Sequence, residues 1–405
     1  MKILYITPVF QHPQMRGPTR CYFFAREMSK RHDITMLTLA RSVLDKTAVN
    51  DMTSFTERLF IFDAFVKTKP GTNRFTRPAF YALDQAKKAR QFRHALAEMK
   101  KTFRDLVEKE SFDVILFHGK SVYPVIKKWR DLPIVIDFCD ATSMRLRQSI
   151  HYAKPLKKIA LLWQYLSMKG LEKRLVKKTP HLAFISRRDR EAIHFPANGE
   201  RIVPIGVDVA AWTRTAAQPG PNRIIFTGVM NYAPNEDAAM FLLKEILPRV
   251  KRILPDVHLF IVGREPSPRL QEAAKAHPHV TVTGFVADMK PYLEQATVLA
   301  APLRYASGVQ NKILEAMSME VPVIGTSVVA AGLYQNGQQD LPMVIADDAD
   351  DFAARLVALL QDKKEQQRLA SAGRKFVERY FVWSSCATTL EEMCYSAVNG
   401  HRRTA

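Results

Sequence analysis

The chain predicts an α/β protein of two Rossmann-like domains, each built on a doubly wound parallel sheet. Three observations carry that expectation. Short apolar runs alternate with helical stretches through both halves, the pattern that crossover helices impose on parallel strands. At 405 residues the chain exceeds one ordinary core and suits two domains of about 200 residues each. A stretch rich in proline, glycine and small residues, TAAQPGPNR (215–223), interrupts the alternation near the middle and reads as a linker.

The first half opens on KILYIT (2–7), and the loop PVFQHPQMRGPTR then leads to an aromatic-rich helix, CYFFAREMSKR. HDITMLTL (32–39) reads as the second strand. Residues 40–110 are less regular, with a helical pattern convincing only in the basic run 84–110. FDVILFHG (112–119), LPIVIDF (132–138) and HLAFIS (181–186) read as further strands, each flanked by helical segments. RIVPIGVDVAAW (201–212) leads out of this half, so the first domain is set at 1–212. The second domain, 213–380, repeats the alternation to about residue 362. Helical segments 349–361, 365–379 and 384–398 close the chain, with 381–405 set apart as a final helix. In open sheets of this kind ligands bind at the carboxyl ends of the strands.

Residues 307–333, SGVQNKILEAMSMEVPVIGTSVVAAGL, read as a loop, a short helix and a buried strand. Val309, Ile313 and Ala316 recur at helical spacing, with Leu314 and Met317 widening the apolar stripe. Gly308, Lys312 and Glu315 fall on the other side, so a cation and a carboxylate share a face near the helix start. VPVIGT is the continuous apolar run of a strand buried on both faces. Exposed amides and a lysine at a helix N-terminus suit a diphosphate. On spacing alone, a surface helix with an i,i+3 salt bridge explains the same residues equally well.

Composition narrows the class. Hydrophobic content of 47% supports a folded chain, and no apolar run approaches the ~18 residues of a membrane helix. The first strand starts at Lys2, leaving no room for a signal peptide, so a cytosolic protein is expected. Cys21, Cys139, Cys386 and Cys394 form no CxxC pair and no zinc spacing, and the 11 histidines form no HExxH cluster. Free thiols and no metal site are expected. Residues 1–200 hold 38 Lys/Arg against 19 Asp/Glu, a balance of +19, whereas 201–405 hold 22 against 21, a balance of +1. That asymmetry calls for an acidic surface opposite the first half alone. The sequence pI of 9.8 would fit nucleic acid, but the basic half carries no recognised reading motif.

The stretch 307–333 resembles the donor-site signature of retaining GT-B glycosyltransferases of family 4, on Gly308, Glu315, Ala316, Met317, Pro322 and Val323. Three blocks in the expected order extend the likeness: RIIFTGVMNYAPNEDA (223–238), HLFIVGREP (258–266) and VTVTGFVADMKPYL (280–293). The nearest likeness is to a subgroup associated with bacterial exopolysaccharide systems, good over roughly 200–335 and loose before it. The resemblance implies two Rossmann-like domains facing a cleft, a final helix that crosses back to the first domain, and metal-independent sugar transfer. The donor is a nucleoside diphosphate sugar acting as substrate rather than cofactor. The acceptor is a polysaccharide or a lipid-linked molecule of the cell envelope.

Carried onto this chain, the resemblance places Gly308, Val309 and Lys312 on the donor phosphates and Glu315 on the ribose hydroxyls. Gly17, flanked by Arg16 and Arg20, would approach the phosphates from the first domain. His118, at a strand end, would contact the sugar, and Asp137 and Asp140 at the next strand end would orient the acceptor. Arg264, Phe285 and Val286 would meet the base. Two departures stand out. The family's motif is Glu, seven residues, Glu, and the first position is Ser307 here. The loop after the first donor-domain strand offers Val229, Asn231 and Asn235 where relatives often carry Arg and Lys. A binding module without catalysis, or an epimerase or hydrolase of nucleotide sugars, therefore stays open beside a transferase.

The positive balance of the first half concentrates in KPLKKIALLWQYLSMKGLEKRLVKK (154–178), with eight Lys/Arg and one acid, Glu172. Leu156, Ile159, Trp163 and Leu166 recur there at helical spacing. The pattern predicts a peripheral contact with an anionic membrane surface. Packing of the same apolar residues onto the protein's own sheet is the alternative.

Overall fold

A computed structural model describes residues 1–15, 19–67, 77–152, 155–193, 199–215, 219–306, 308–334 and 340–404. The first sheet contains β1 (Lys2–Thr7), β2 (Asp33–Ala40), β3 (Arg58–Asp63), β4 (Val114–His118), β5 (Ile134–Cys139), β6 (Leu182–Phe184) and β7 (Arg201–Ile202). Its order is β3-β2-β1-β4-β5-β6-β7, and its pairings are parallel. The second sheet contains β8 (Arg223–Thr227), β9 (His258–Val262), β10 (Val280–Val282), β11 (Val298–Ala301), β12 (Val323–Gly325) and β13 (Val344–Ile345). Its order is β10-β9-β8-β11-β12-β13, again with parallel pairings. In each sheet the first strand is central, and the chain winds outward from it in both directions. The strand order therefore reverses between β1 and β4 and between β8 and β11, the place where such sheets open a crevice at their carboxyl edge.

Burial explains which strands form. β1, β4 and β8 are almost wholly buried, as continuous Val/Ile/Leu runs between two helical layers must be. Two strands of the first sheet escape the sequence reading. β3 lies at the sheet edge with most residues only partly buried, and β7 is two residues long. The helix expected at 84–110 spans Arg77–Lys109. Val309, counted above within a helical stripe, precedes the helix Asn311–Ser318, whose N-cap is Gln310. Cys21, Cys386 and Cys394 are buried free thiols, and Cys139 is partly exposed.

Packing divides the chain into two units. Unit 1 comprises Met1–Ile185, Arg190–Val203 and Cys386–Ala405, and unit 2 comprises Ser186–Asp189 and Pro204–Ser385. Unit 1 thus draws on both ends of the sequence. From Cys386 onward the last helix, Trp383–Thr404, belongs to it and buries Leu390, Met393, Cys394 and Ala397. Glu391 of that helix accepts from Arg31 Nη2 at 2.5 Å and meets His32 Nε2 at 2.5 Å.

Candidate functional site

In unit 2 the carboxyl ends of β8 and β9, the loop after β10 and the helix Asn311–Ser318 surround a cavity of 400 Å³. Arg264, Phe285, Val286, Lys312 and Glu315, which the sequence scatters over some fifty positions, all line it, together with Thr227, Gly228, Gly263, Gln310 and Asn311. The helix is positioned by its apolar face: Ile313, Leu314, Ala316 and Met317 are buried, which turns Asn311, Lys312 and Glu315 toward the cavity. After the helix the chain enters β12, just before which Pro322 O accepts from Leu299 N at 2.9 Å. Gly308, just ahead of the helix, has φ 62, a left-handed turn that glycine adopts without steric cost. Val309 beside it is 7% exposed.

Lys312 is buried, and its Nζ donates to Asn235 Oδ1 at 2.6 Å and lies 4.4 Å from the centre of the Phe226 ring. Burial pushes its ammonium down to about 7, against a smaller upward pull from Glu315. Glu315 shows the converse: burial pushes its carboxyl up to about 7, with Lys312 opposing. The two are not joined in a salt bridge, because Lys312 is turned to Asn235. Among the described residues no donor reaches the Glu315 carboxylate. An accepting carboxylate and a desolvated amine therefore stand side by side on one cavity wall, neither satisfied by an opposite charge.

Asn235, Gly228 and Gly263 were not picked out by sequence reasoning as contributors to this arrangement. Asn235 is fixed by its own amide, which donates to Val229 O at 3.0 Å. A Cβ on Gly228 would come within 2.6 Å of Asn235 Nδ2 and 3.1 Å of Lys312 Nζ. A Cβ on Gly263 would meet Gly228 O at 1.7 Å, so the turns after β8 and β9 touch backbone to backbone. The signal was present as a glycine directly after each strand, FTG and IVG. Asn231, named with Asn235 above, instead pairs with Glu265. Phe285 is 67% exposed at the rim, and Val286 packs partly on the unit 2 core.

Unit 1 carries a second group at the carboxyl ends of β4 and β5. His118 Nδ1 lies 2.9 Å from Asp137 Oδ2. Arg20, the first residue of the helix Arg20–Ser29, grips the same carboxylate through Nε at 2.8 Å and Nη2 at 3.0 Å, and donates to Val203 O at 2.8 Å. Asp137 is fully buried. Burial opposes its charge, but Arg20 and then His118 outweigh that and hold its carboxyl well below the usual range. Burial likewise opposes charge on His118, yet the Cys21 sulfur and the Asp137 carboxylate raise its pKa well above the ordinary value.

This geometry corrects one expectation. Asp137 is sealed from solvent and saturated by Arg20, His118 and the Cys139 amide, so it supports His118 and does not itself meet an acceptor. Arg20, which flanks Gly17 in the sequence, is 1% exposed and paired with Asp137. Asp140 is partly exposed, with Lys120 at 3.5 Å and Arg145 at 3.7 Å. Lys120, which sequence reasoning missed, also lies 3.4 Å from Glu172. Arg16, Gly17 and Ser307 lie outside the described residues.

Comparison with solved structures places the architecture. Anabaena HepE in complex with UDP and glucose aligns with a TM-score of 0.64 and 13% identity, covering 98% of this chain and 100% of HepE. Sucrose-phosphate synthase from Thermosynechococcus elongatus aligns with a TM-score of 0.68 and 15% identity, covering 98% and 99%. The chain has the GT-B fold. Within that GT-B chain, residues 221–362 match the family model for glycosyl transferases group 1, the stretch that forms the unit 2 cavity. Curated relatives include glycogen synthase of Mycobacterium tuberculosis, 26% identical over 50% of this chain and 50% of its own. Phosphatidyl-myo-inositol mannosyltransferase of Mycolicibacterium smegmatis is 27% identical over 49% and 52%. The matches span about half the length of these relatives.

Proposed function

We propose that this protein transfers a glycosyl group, with retention, from a nucleoside diphosphate sugar to a polysaccharide or lipid-linked acceptor of the cell envelope. The observation that carries the reading is the unit 2 cavity. It gathers a buried lysine, an unpaired carboxylate, an arginine and an exposed aromatic ring within the segment that matches the group 1 model. The solved structures of HepE with UDP and with UDP-glucose are those of a protein of the same fold.

In this reading Lys312 and the amides of Gly308 and Val309 receive the diphosphate. The bond between anomeric carbon and β-phosphate oxygen breaks, and charge builds on that oxygen, where a cation in a dry site is most effective. The acceptor oxygen bonds to the anomeric carbon on the same face, and its proton passes to the departing phosphate, so no separate base is required. Glu315 accepts from both ribose hydroxyls with its two oxygens. Arg264, Phe285 and Val286 hold the base. With Nδ1 committed to Asp137, His118 has Nε2 left to meet a sugar oxygen. Asp140 remains on the acceptor side.

A thermal-shift panel of uridine, guanosine, adenosine and thymidine diphosphate sugars tests the reading. A donor at 100-fold its Kd stabilises by about 2.7 kcal/mol, and silence across the panel overturns the proposal. Ser307, in place of the motif's first carboxylate, favours a second reading: nucleotide-sugar binding without transfer. A stabilising donor that is never consumed, with envelope acceptors present, would select it.

A further inference from the structure

The helix Pro155–Val176 buries one face and leaves a very different one outside. Its inner side is set by Glu172 and Leu175, both buried. Glu172 accepts from Ser143 N at 3.2 Å. The opposite side carries Ile159 at 63%, Trp163 at 74% and Leu166 at 55% exposure, with Leu162 beside them at 47%. Four of the eleven exposed large hydrophobics among the described residues thus sit within about two turns of one helix. They recur at i, i+3, i+4 and i+7, a single stripe. For Ile159, Trp163 and Leu166 the alternative of packing onto the protein's own sheet fails on that exposure, and the Leu156 side chain lies outside the described residues.

At about 100° per residue, the same outer face continues through Lys173 and Arg174 to Lys177 just past the helix end. All three are exposed. Arg174 and Lys177 form one wall of a cavity of 800 Å³ whose lining also includes Lys127, Arg130 and Lys178, and no carboxylate. Among the described residues none of these five cations is ion-paired. Burial lowers the Lys178 pKa, and the nearby Arg130 charge lowers it further, as expected where positive charge collects uncompensated. The Nε1 of Trp129, also in the lining, is buried without a hydrogen-bond partner. The cavity sits beside the amino end of β5, at Pro133 and Ile134, away from the strand ends that carry His118 and Asp137.

We propose that this face of unit 1 docks on an anionic lipid bilayer. The apolar stripe enters the interface, and the basic cavity at the helix end takes a phosphate headgroup. The pattern of an apolar band with Trp and flanking Lys/Arg matches the chemistry of the headgroup boundary. Charge selects the occupant. A second copy of this chain would bring an equally basic surface against the first, since residues 1–200 carry a balance of +19, and like surfaces repel. Among the described residues no helix is long and apolar enough to cross a membrane. The inference does not depend on the transferase reading, and its test uses no sugar nucleotide.

The test is co-sedimentation of the full chain with phosphatidylcholine vesicles and with vesicles containing phosphatidylglycerol, at low and high salt. Wild type is expected to bind the anionic vesicles and to be released by salt. Each Lys or Arg removed should weaken binding about fivefold, so Lys173→Glu with Arg174→Glu should lose more than tenfold. Trp163→Ser should lose binding as well. Brominated lipid should quench wild-type fluorescence more than that of Trp163→Phe, which keeps the apolar surface. These positions are exposed, and unchanged thermal unfolding of each variant confirms that the loss is not misfolding. Equal binding to both vesicle types, undiminished binding by the variants, or inorganic phosphate binding without vesicle binding overturns the proposal. So does a dimer in solution that Trp163→Ser dissociates.

Discussion

Lys312 and Glu315 are held in a state that folding alone would avoid, which suits the donor-binding role proposed for them. A lysine pushed down to about 7 is readily neutral in the empty cavity, whereas a diphosphate beside Nζ raises its pKa by direct attraction. Its contribution to donor affinity is therefore full below the empty-site value and is lost as pH rises through the higher, occupied-site value. Calorimetry from below to above pH 7 should show weakening affinity on the alkaline side that Lys312→Gln flattens, and with Glu315→Gln, where the neighbouring carboxyl no longer titrates, binding should take up a proton. Glu315→Ala should raise the donor KM, with a loss of about 1.5–3 kcal/mol, the worth of hydrogen bonds to a charged group. Unchanged donor kinetics in that variant would remove Glu315 from the ribose. In unit 1, Arg20→Met strips Asp137 of its principal partner while leaving the carboxylate buried. Removing one member of a buried ion pair costs about 3–5 kcal/mol, to be read as a drop in the denaturant midpoint.

At the scale of elements, the sequence announced what continuous burial dictates and missed what distance or partial burial hides. β1, β4 and β5 read cleanly because apolar runs flanked by helices have few other solutions. β3 did not, because an edge strand with most residues half-buried lacks that uniformity. The helix Asn311–Ser318 was legible from its stripe, and the residues 264, 285, 286, 312 and 315 do share one cavity. The partner of Lys312 was not legible, since Asn235 lies 77 positions away and no spacing rule reaches so far. Asp137 looked like an accessible carboxylate at a strand end, and only packing shows that Arg20 has claimed it. The turns after β8 and β9 give this scale its own prediction. Gly263→Ala forces a Cβ against Gly228 O at 1.7 Å, a backbone contact that no rotamer relieves. It should destabilise by about 1–3 kcal/mol, the usual cost of overpacking, and should displace Asn235 and Lys312. Loss of stability together with loss of donor binding is the expected result, and a variant that binds donor normally would argue that the glycine pair does not shape the site.

For the whole molecule, connectivity matters more than any single contact, because unit 1 is completed by the last twenty residues of the chain. The helix Trp383–Thr404 places Leu390, Met393, Cys394 and Ala397 in buried positions of unit 1, and its Glu391 joins Arg31 and His32. Deleting the chain after Ser385 would uncover that apolar surface and leave His32, 6% exposed, without its carboxylate. Unit 2 loses none of its own packing by the same cut, since its sequence ends at Ser385. Truncation should therefore lower the unfolding transition of unit 1 while nucleotide affinity at the unit 2 cavity stays close to that of the full chain. Glu391→Ala should act in the same direction with a smaller effect, since one buried polar tie is lost rather than a helix. Differential scanning calorimetry paired with nucleotide titration separates the outcomes. If truncation abolishes nucleotide binding along with unit 1 stability, the two units do not fold independently, and the final helix serves the molecule as a single cooperative body.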